Sequence, residues 1–291
     1  MFCNFPAAQW GKAEAFFRSV GRSDLASQPK RTFGYSLFLE SELELHRFKQ
    51  GLQDHGFGND DCSVRRELLY SDDELRSLPF LRLSVTRAPK GFGGPWYGTQ
   101  YDLSSACSLC GTGAVQISPL VLKRSEIQVP KSRRVVQTLD WELLVSVEFG
   151  AAVRKSGVTG LELRSVIAST DKMPLPWLQL IAGYTMPPMA AATGGIVLSD
   201  KLPPCPVCRR DGRYHMGSEP EQLKYRSEDV DVEALPDAVT TWECFGRSGL
   251  REPFEKSHFA TPLLLVKPRV FEIFREHKVR EVQFLPVEIV E

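Results

Sequence analysis

LLVSVEFGAAVRKSGVTGLELRSV, residues 143–166, aligns without a gap with LLVKPRVFEIFREHKVREVQFLPV, residues 264–287. The offset is 121 residues and the identity only 6 of 24, so the case for a repeat rests on pattern. Each copy opens on an apolar strand, Leu143-Leu144-Val145 or Leu263-Leu264-Leu265-Val266. Each then turns into a helix, at the capping residue Ser146 or at Pro268, which suits a first helical turn. Phe149, Ala152 and Val153 sit at i, i+3 and i+4, as do Val270, Ile273 and Phe274, so each helix carries one apolar stripe. A second strand follows by alternation, through Val158, Leu161, Leu163 and Val166 in one copy and Val279, Val282, Phe284 and Val287 in the other. Gly157 fits the C-terminal cap of the first helix, and Lys278 at the equivalent place predicts that the second helix ends differently.

Upstream of each unit lies a CxxC pair. Cys107-Ser-Leu-Cys110 begins 38 residues before Val145, and Cys205-Pro-Val-Cys208 begins 61 before Val266. Between cysteines and unit, both copies carry a strand-like run into an Arg-Ser-Glu tripeptide, Leu120 to Glu126 and Leu223 to Glu228, with Ser125 and Ser227 as caps. The recurring order predicts an α+β fold of two pseudo-repeated halves, each with a CxxC knuckle and a strand-helix-strand unit, joined by a shared zinc site. A two-residue spacer turns both sulfurs of a pair to one side, and Gly111 and Pro206 suit such turns. Cys107, Cys110, Cys205 and Cys208 are therefore the expected ligands of one structural zinc ion. Two rival readings exist. A disulfide within a pair is strained and one between pairs needs an oxidising compartment; a redox motif needs a helix after the pair, where this chain has Gly-Thr-Gly and Arg-Arg-Asp-Gly. Cys3, Cys62 and Cys244 have no partner at ligand spacing.

The expected organisation is a poorly ordered N-terminal extension over 1–30, a first α/β half over 31–170, a Pro-rich linker over 171–204 and a second half over 205–291. Phe33 to His55 reads as a helix with Phe38, Leu39, Leu43, Leu45, Phe48 and Leu52 mostly on one face. Ser71-Asp-Asp-Glu74 is a capping box that opens a short helix, Phe80 to Val85 alternates as a strand, and Ala88 to Tyr101 reads as a loop.

Lys plus Arg and Asp plus Glu both number 36, so nothing in the net charge draws the chain to nucleic acid or an anionic membrane. No apolar run approaches the roughly 20 residues of a membrane helix. Residues 1–17 lack a basic segment followed by an apolar run, and the expected location is the cytoplasm. Gly91-Phe-Gly-Gly94 lacks the Walker lysine, and no serine sits in a Gly-x-Ser-x-Gly elbow. The five histidines form no metal-binding spacing, although His215 follows Cys208 closely enough to replace a ligand. The expectation is a non-enzyme. In the segment 231–259, Trp242, Arg247, Arg251 and Phe254 are candidate partner-binding residues, against the competing reading of a core strand through Trp242 followed by a polar connection.

The order CSLCG, GVTGLELRSV, CPVC and LLLVKPRVFEIF to FLPVEIV resembles the double-CxxCG motif proteins expanded in myxobacteria, over roughly residues 60–291. Gly111 matches the family's glycine, whereas Arg209 stands where the second pair would have one. The resemblance implies a zinc-binding immunity protein that covers a cognate bacterial toxin and needs no catalytic residues. The alternative is a zinc-ribbon-like module that binds nucleic acid or a transcription or translation component, against which the neutral charge weighs.

Overall fold

A computed structural model describes residues 2–3, 10–21, 35–36, 42–57, 62–63, 70–86, 90–130, 132–191, 193, 205–210, 223–246 and 248–291. The chain forms two units, Met1–Leu69 and Tyr70–Glu291. In the first, strands β1 (Phe2–Cys3), β2 (Tyr35–Ser36) and β3 (Cys62–Ser63) form a small antiparallel sheet in the order β2-β1-β3, beside helices α1 (Trp10–Ser19) and α2 (Glu42–Asp54). Ala13, Phe16 and Phe17 fall at i, i+3 and i+4 of α1 and are buried with Phe48, Leu52 and Phe57. Phe16 meets Phe48 edge-on at 4.7 Å. This helix lies inside the stretch read as a poorly ordered extension; the three-residue stripe that buries it was already present in the sequence. Of the helix expected over Phe33 to His55, Glu42–Asp54 is helical and Tyr35–Ser36 is a strand instead, and Leu43, assigned to its apolar face, is exposed. Phe38 and Leu39 lie outside the described residues.

The second unit opens with α3 (Asp72–Arg76), held by the expected capping box: Ser71 Oγ accepts the Glu74 N–H at 3.2 Å and Glu74 Oε2 accepts the Ser71 N–H at 2.7 Å. Then come β4 (Phe80–Val85), a 3-10 turn at Gly94–Tyr97, β5 (Tyr101–Asp102), β6 (Val115–Gln116), β7 (Leu120–Leu122), β8 (Val135–Gln137) and β9 (Leu143–Ser146). Helix α4 (Val147–Lys155) leads into β10 (Leu161–Ala168) and β11 (Pro174–Ala182). The remainder is β12 (Leu223–Arg226), β13 (Ala238–Phe245), β14 (Thr261–Val266), α5 (Pro268–Glu276) and β15 (Val282–Val290). Strands β5 and β6 pair as a short ribbon, and the rest form two five-stranded sheets, β7-β10-β11-β9-β8 and β12-β15-β4-β14-β13.

The two sheets share one pairing scheme. In each, one edge pair is parallel, β7 with β10 and β12 with β15, and the other pairs are antiparallel. Val166 stands opposite Leu120, and Val287 opposite Leu223. Val145 lies between Val135 and Leu178, and Val266 between Ala238 and Leu81. Leu161 faces Ala182, and Val282 faces Val85. The middle strand is β11 in the first sheet and β4 in the second. The segment read as a linker therefore carries the central strand of a sheet. Its prolines suggested a connection, but Pro174 and Pro176 sit at the exposed positions of the first turns of the pleat, and Leu175, Trp177, Leu178 and Leu180 are buried.

Leu81, Val145, Leu178 and Val266 join one core with Phe149 and Val153 of α4 and Val270 and Phe274 of α5, and Phe149 meets Phe274 edge-on at 4.8 Å. Ser146 caps α4 by accepting the Phe149 N–H at 3.2 Å, and Gly157 follows the helix at φ 68°. Lys278 was expected to end α5 in another way. It does not: at φ 52° its N–H donates to the Arg275 carbonyl at 2.9 Å while Val279 N–H reaches Phe274 O at 3.0 Å, a Schellman ending with lysine in the left-handed place. No described helix is long and apolar enough to cross a membrane.

Candidate metal centre

The first knuckle hangs between β5 and β6. Its backbone closes on itself, with Gly111 N–H donating to Cys107 O at 2.8 Å and Cys107 N–H to Thr112 O at 2.9 Å. Gly111 is left-handed, at φ 77°, and a Cβ there would lie 2.8 Å from the Phe259 ring, so both its backbone and its surroundings call for glycine. The second knuckle makes the same turn. Arg209 N–H donates to Cys205 O at 2.9 Å and Arg209 is left-handed at φ 58°, so the arginine in the glycine position leaves the turn geometry intact. Arg210 then ties this knuckle to β13: its carbonyl accepts the Cys244 N–H at 2.7 Å and its Nε donates to Trp242 O at 3.0 Å.

The tertiary structure brings the two pairs together. Cys107 Sγ lies 3.7 Å from Cys205 Sγ and Cys110 Sγ lies 3.5 Å from Cys208 Sγ, with all four sulfurs within 4.8 Å of one another. A disulfide needs about 2.05 Å. A tetrahedral ion with metal–sulfur bonds of about 2.3 Å requires sulfurs about 3.8 Å apart. The separations fit the ion. Cys110 and Cys205 are buried, Cys107 and Cys208 partly so. Among the described residues this is the one group of His, Cys, Asp or Glu gathered closely enough to hold a metal ion.

Burial raises the pKa of Cys107, but the N–H groups of Cys110 and Leu109 outweigh it and hold the thiol down to about 7. Burial pushes Cys110 far up, against the Thr112 hydroxyl and N–H, and raises Cys208 against the Arg210 N–H. One negative charge is easily carried here and several are not. A cation at the centre of the sulfurs offsets that burial cost and makes all four thiolates favourable.

The other singled-out residues scatter. Trp242 is half-buried in β13 with the Arg210 guanidinium 5.3 Å over its ring. Arg251 and Phe254 share a loop; Arg251 is exposed, its N–H donating to Ser257 Oγ at 3.0 Å, and the Phe254 ring lies 6.0 Å from Phe259. Arg247 and His215 lie outside the described residues. Cys3 and Cys62 stand opposite each other across β1 and β3, a pairing that their distance in sequence hid. Arg210, Phe259 and Leu250 support the knuckles although no local pattern marks them. Compared with family models and with curated proteins, the chain matches none of either.

Proposed function

We propose that the four cysteines hold a structural zinc ion that staples two related halves of a non-catalytic binding protein, an immunity protein for a cognate bacterial toxin. The observation that carries the reading is the cross-pairing of equivalent sulfurs, Cys107 with Cys205 and Cys110 with Cys208, each pair 98 residues apart in sequence. Four thiolates close a tetrahedral shell and leave no position for a substrate, which favours a structural role over Lewis-acid chemistry. Thiols held apart at these distances suit a reducing compartment such as the cytoplasm.

Duplication is supported by the matched registers of the two sheets. Strands β9 and β10 correspond to β14 and β15 at the offset of 121, and β7 and β8 to β12 and β13 at an offset of 103. Even a side-chain bond recurs: Thr138 Oγ1 accepts the Glu142 N–H and Thr241 Oγ1 accepts the Leu263 N–H, both at 3.0 Å. On this reading β4, which precedes the first knuckle, and β11, which precedes the second, are equivalent leading strands. Each completes the sheet of the other half.

Elemental analysis of purified protein tests the centre: one zinc per chain is expected, and Cys208→Ser should lose it, whereas a metal-free protein would overturn the proposal. The toxin role draws its support from the family resemblance, and co-expression with the product of the neighbouring gene tests it, the expectation being that this product is toxic when expressed alone. Rescue of growth is expected; continued killing would remove the immunity reading and leave the zinc staple standing.

A further inference from the structure

A cavity of about 480 Å³ opens in the second unit, where β4, β11 and β14 converge and where Phe259, which packs on Gly111 of the first knuckle, forms part of the wall. That volume suits a small organic ligand. Its walls include corresponding positions of the two sheets: Leu83 and Leu180, and Leu143 and Leu264. The polar groups break the pairing. Glu142 occupies the place of Leu263, on backbone held by the same threonine hydroxyl bond, so the local fold is compatible with a leucine where this half carries a carboxyl group.

The charges around the space do not cancel. Glu162 is spent on Arg164, at 2.6 Å; Asp140 and Glu142 carry the remaining carboxyl groups beside the imidazole of His258, with Asp140 Oδ2 accepting the Gly93 N–H at 3.0 Å and Glu142 accepting the Gly94 N–H at 2.5 Å and the Thr138 hydroxyl. Asp140 Oδ1 lies 3.3 Å from His258 Nδ1; when that nitrogen donates, Nε2 is left as an acceptor. Tyr101 lines the cavity, and among the described residues its hydroxyl makes no hydrogen bond. Tyr101 is held in place by its ring, 4.7 Å from Phe259. What the cavity offers a ligand is thus acceptors and negative charge together with leucine side chains.

We propose that this cavity binds a small organic cation, an ammonium group on an apolar body, with Asp140 and Glu142 meeting its charge and the Tyr101 oxygen accepting one of its N–H bonds. Burial, with Asp140 adding to it and the Thr138 hydroxyl opposing, pushes the Glu142 carboxyl up to about 7. An entering cation offsets that burial cost. The inference rests on the cavity and on the matched sheets, and does not depend on the identity of the ion at the cysteines.

The test titrates the full, metal-loaded chain with n-butylammonium, phenethylammonium and agmatine, using phenethyl alcohol and 3-phenylpropionate as neutral and anionic controls of similar shape. At least one cation should bind about tenfold or more tighter than both controls, the effect of one charge-assisted contact. Tyr101→Phe, which keeps the ring contact, and Glu142→Leu, which installs the residue of the other half, should each weaken it about tenfold with metal content unchanged. Should Glu142→Leu fail to fold, Tyr101→Phe alone decides. No binding by any of the cations, equal binding of the alcohol, or full affinity in the variants would overturn the proposal; a chain that binds cations without zinc would refute only the metal reading.

Discussion

Four described non-glycine residues, Trp141, Lys172, Arg209 and Lys278, take a backbone conformation that glycine would adopt more readily. Lys278, after α5, and Arg209, after Cys208, are left-handed at φ 52° and 58°, where a side chain costs about 1 kcal/mol. Lys278→Gly should therefore raise stability by about 0.5 kcal/mol, after the added freedom of the unfolded chain is subtracted, as read from a urea midpoint. Gly111→Ala should do the opposite and cost 2 kcal/mol or more, roughly, because strain and the Phe259 contact add. Glu142 makes a pH prediction. Its folded pKa is raised from 4.5 to about 7, so the fold holds the proton more tightly than the unfolded chain does. Stability from this group is full below pH 4.5 and is lost as pH rises through 7, on the order of 3 kcal/mol in all. Urea midpoints of the ligand-free protein should fall over that range, and Glu142→Gln should flatten the fall; a variant with the slope of the wild type would show that the carboxyl titrates normally.

At the scale of elements, the helices of the second unit were the legible part. The stripes of Phe149 and Val153 and of Val270, Ile273 and Phe274 are buried as the spacing required. Ser146→Ala should cost about 1 kcal/mol, the worth of a helix cap, measured by thermal or urea unfolding. The strands were legible as strands but not in their partners. Phe80 to Val85 alternates plainly, yet nothing near it says that it lies between β14 and β15, nearly two hundred residues away in sequence. Pro174 and Pro176 disguised β11 because proline is rare in central strands, and only the pairing shows that its sheet tolerates them there. Leu81, fully buried between Val266 and Pro286, should cost about 2–5 kcal/mol as Leu81→Ala.

Across the whole second unit, β4 and β11 each lie at the centre of a sheet whose other strands come from a different part of the chain, and an ion at the cysteines would act on the same problem, holding the two sheets together. Cleavage at a protease site placed in the exposed turn at Asp171 and Lys172 would leave β4 in the sheet of the later fragment and β11 in the sheet of the earlier one. The nicked protein should elute as one species, and should still do so after chelation, because each fragment supplies a central strand to the other. Fragments that part on nicking would contradict these places of β4 and β11 in the sheets. Chelation should nonetheless lower the stability of the intact chain by several kcal/mol, since an ion joining cysteines 98 residues apart closes a long loop.

Spacing by itself determined the four cysteines, the capping box, the apolar stripes and the strand-like runs, because each depends on residues within a turn or two of one another. The meeting of the two knuckles, the central places of β4 and β11 and the cavity lined by Tyr101, Glu142 and His258 were decided by tertiary structure alone. Local sequence fixes which face of an element is apolar; which other face covers it is a choice among distant segments, settled only when all of them pack into one core.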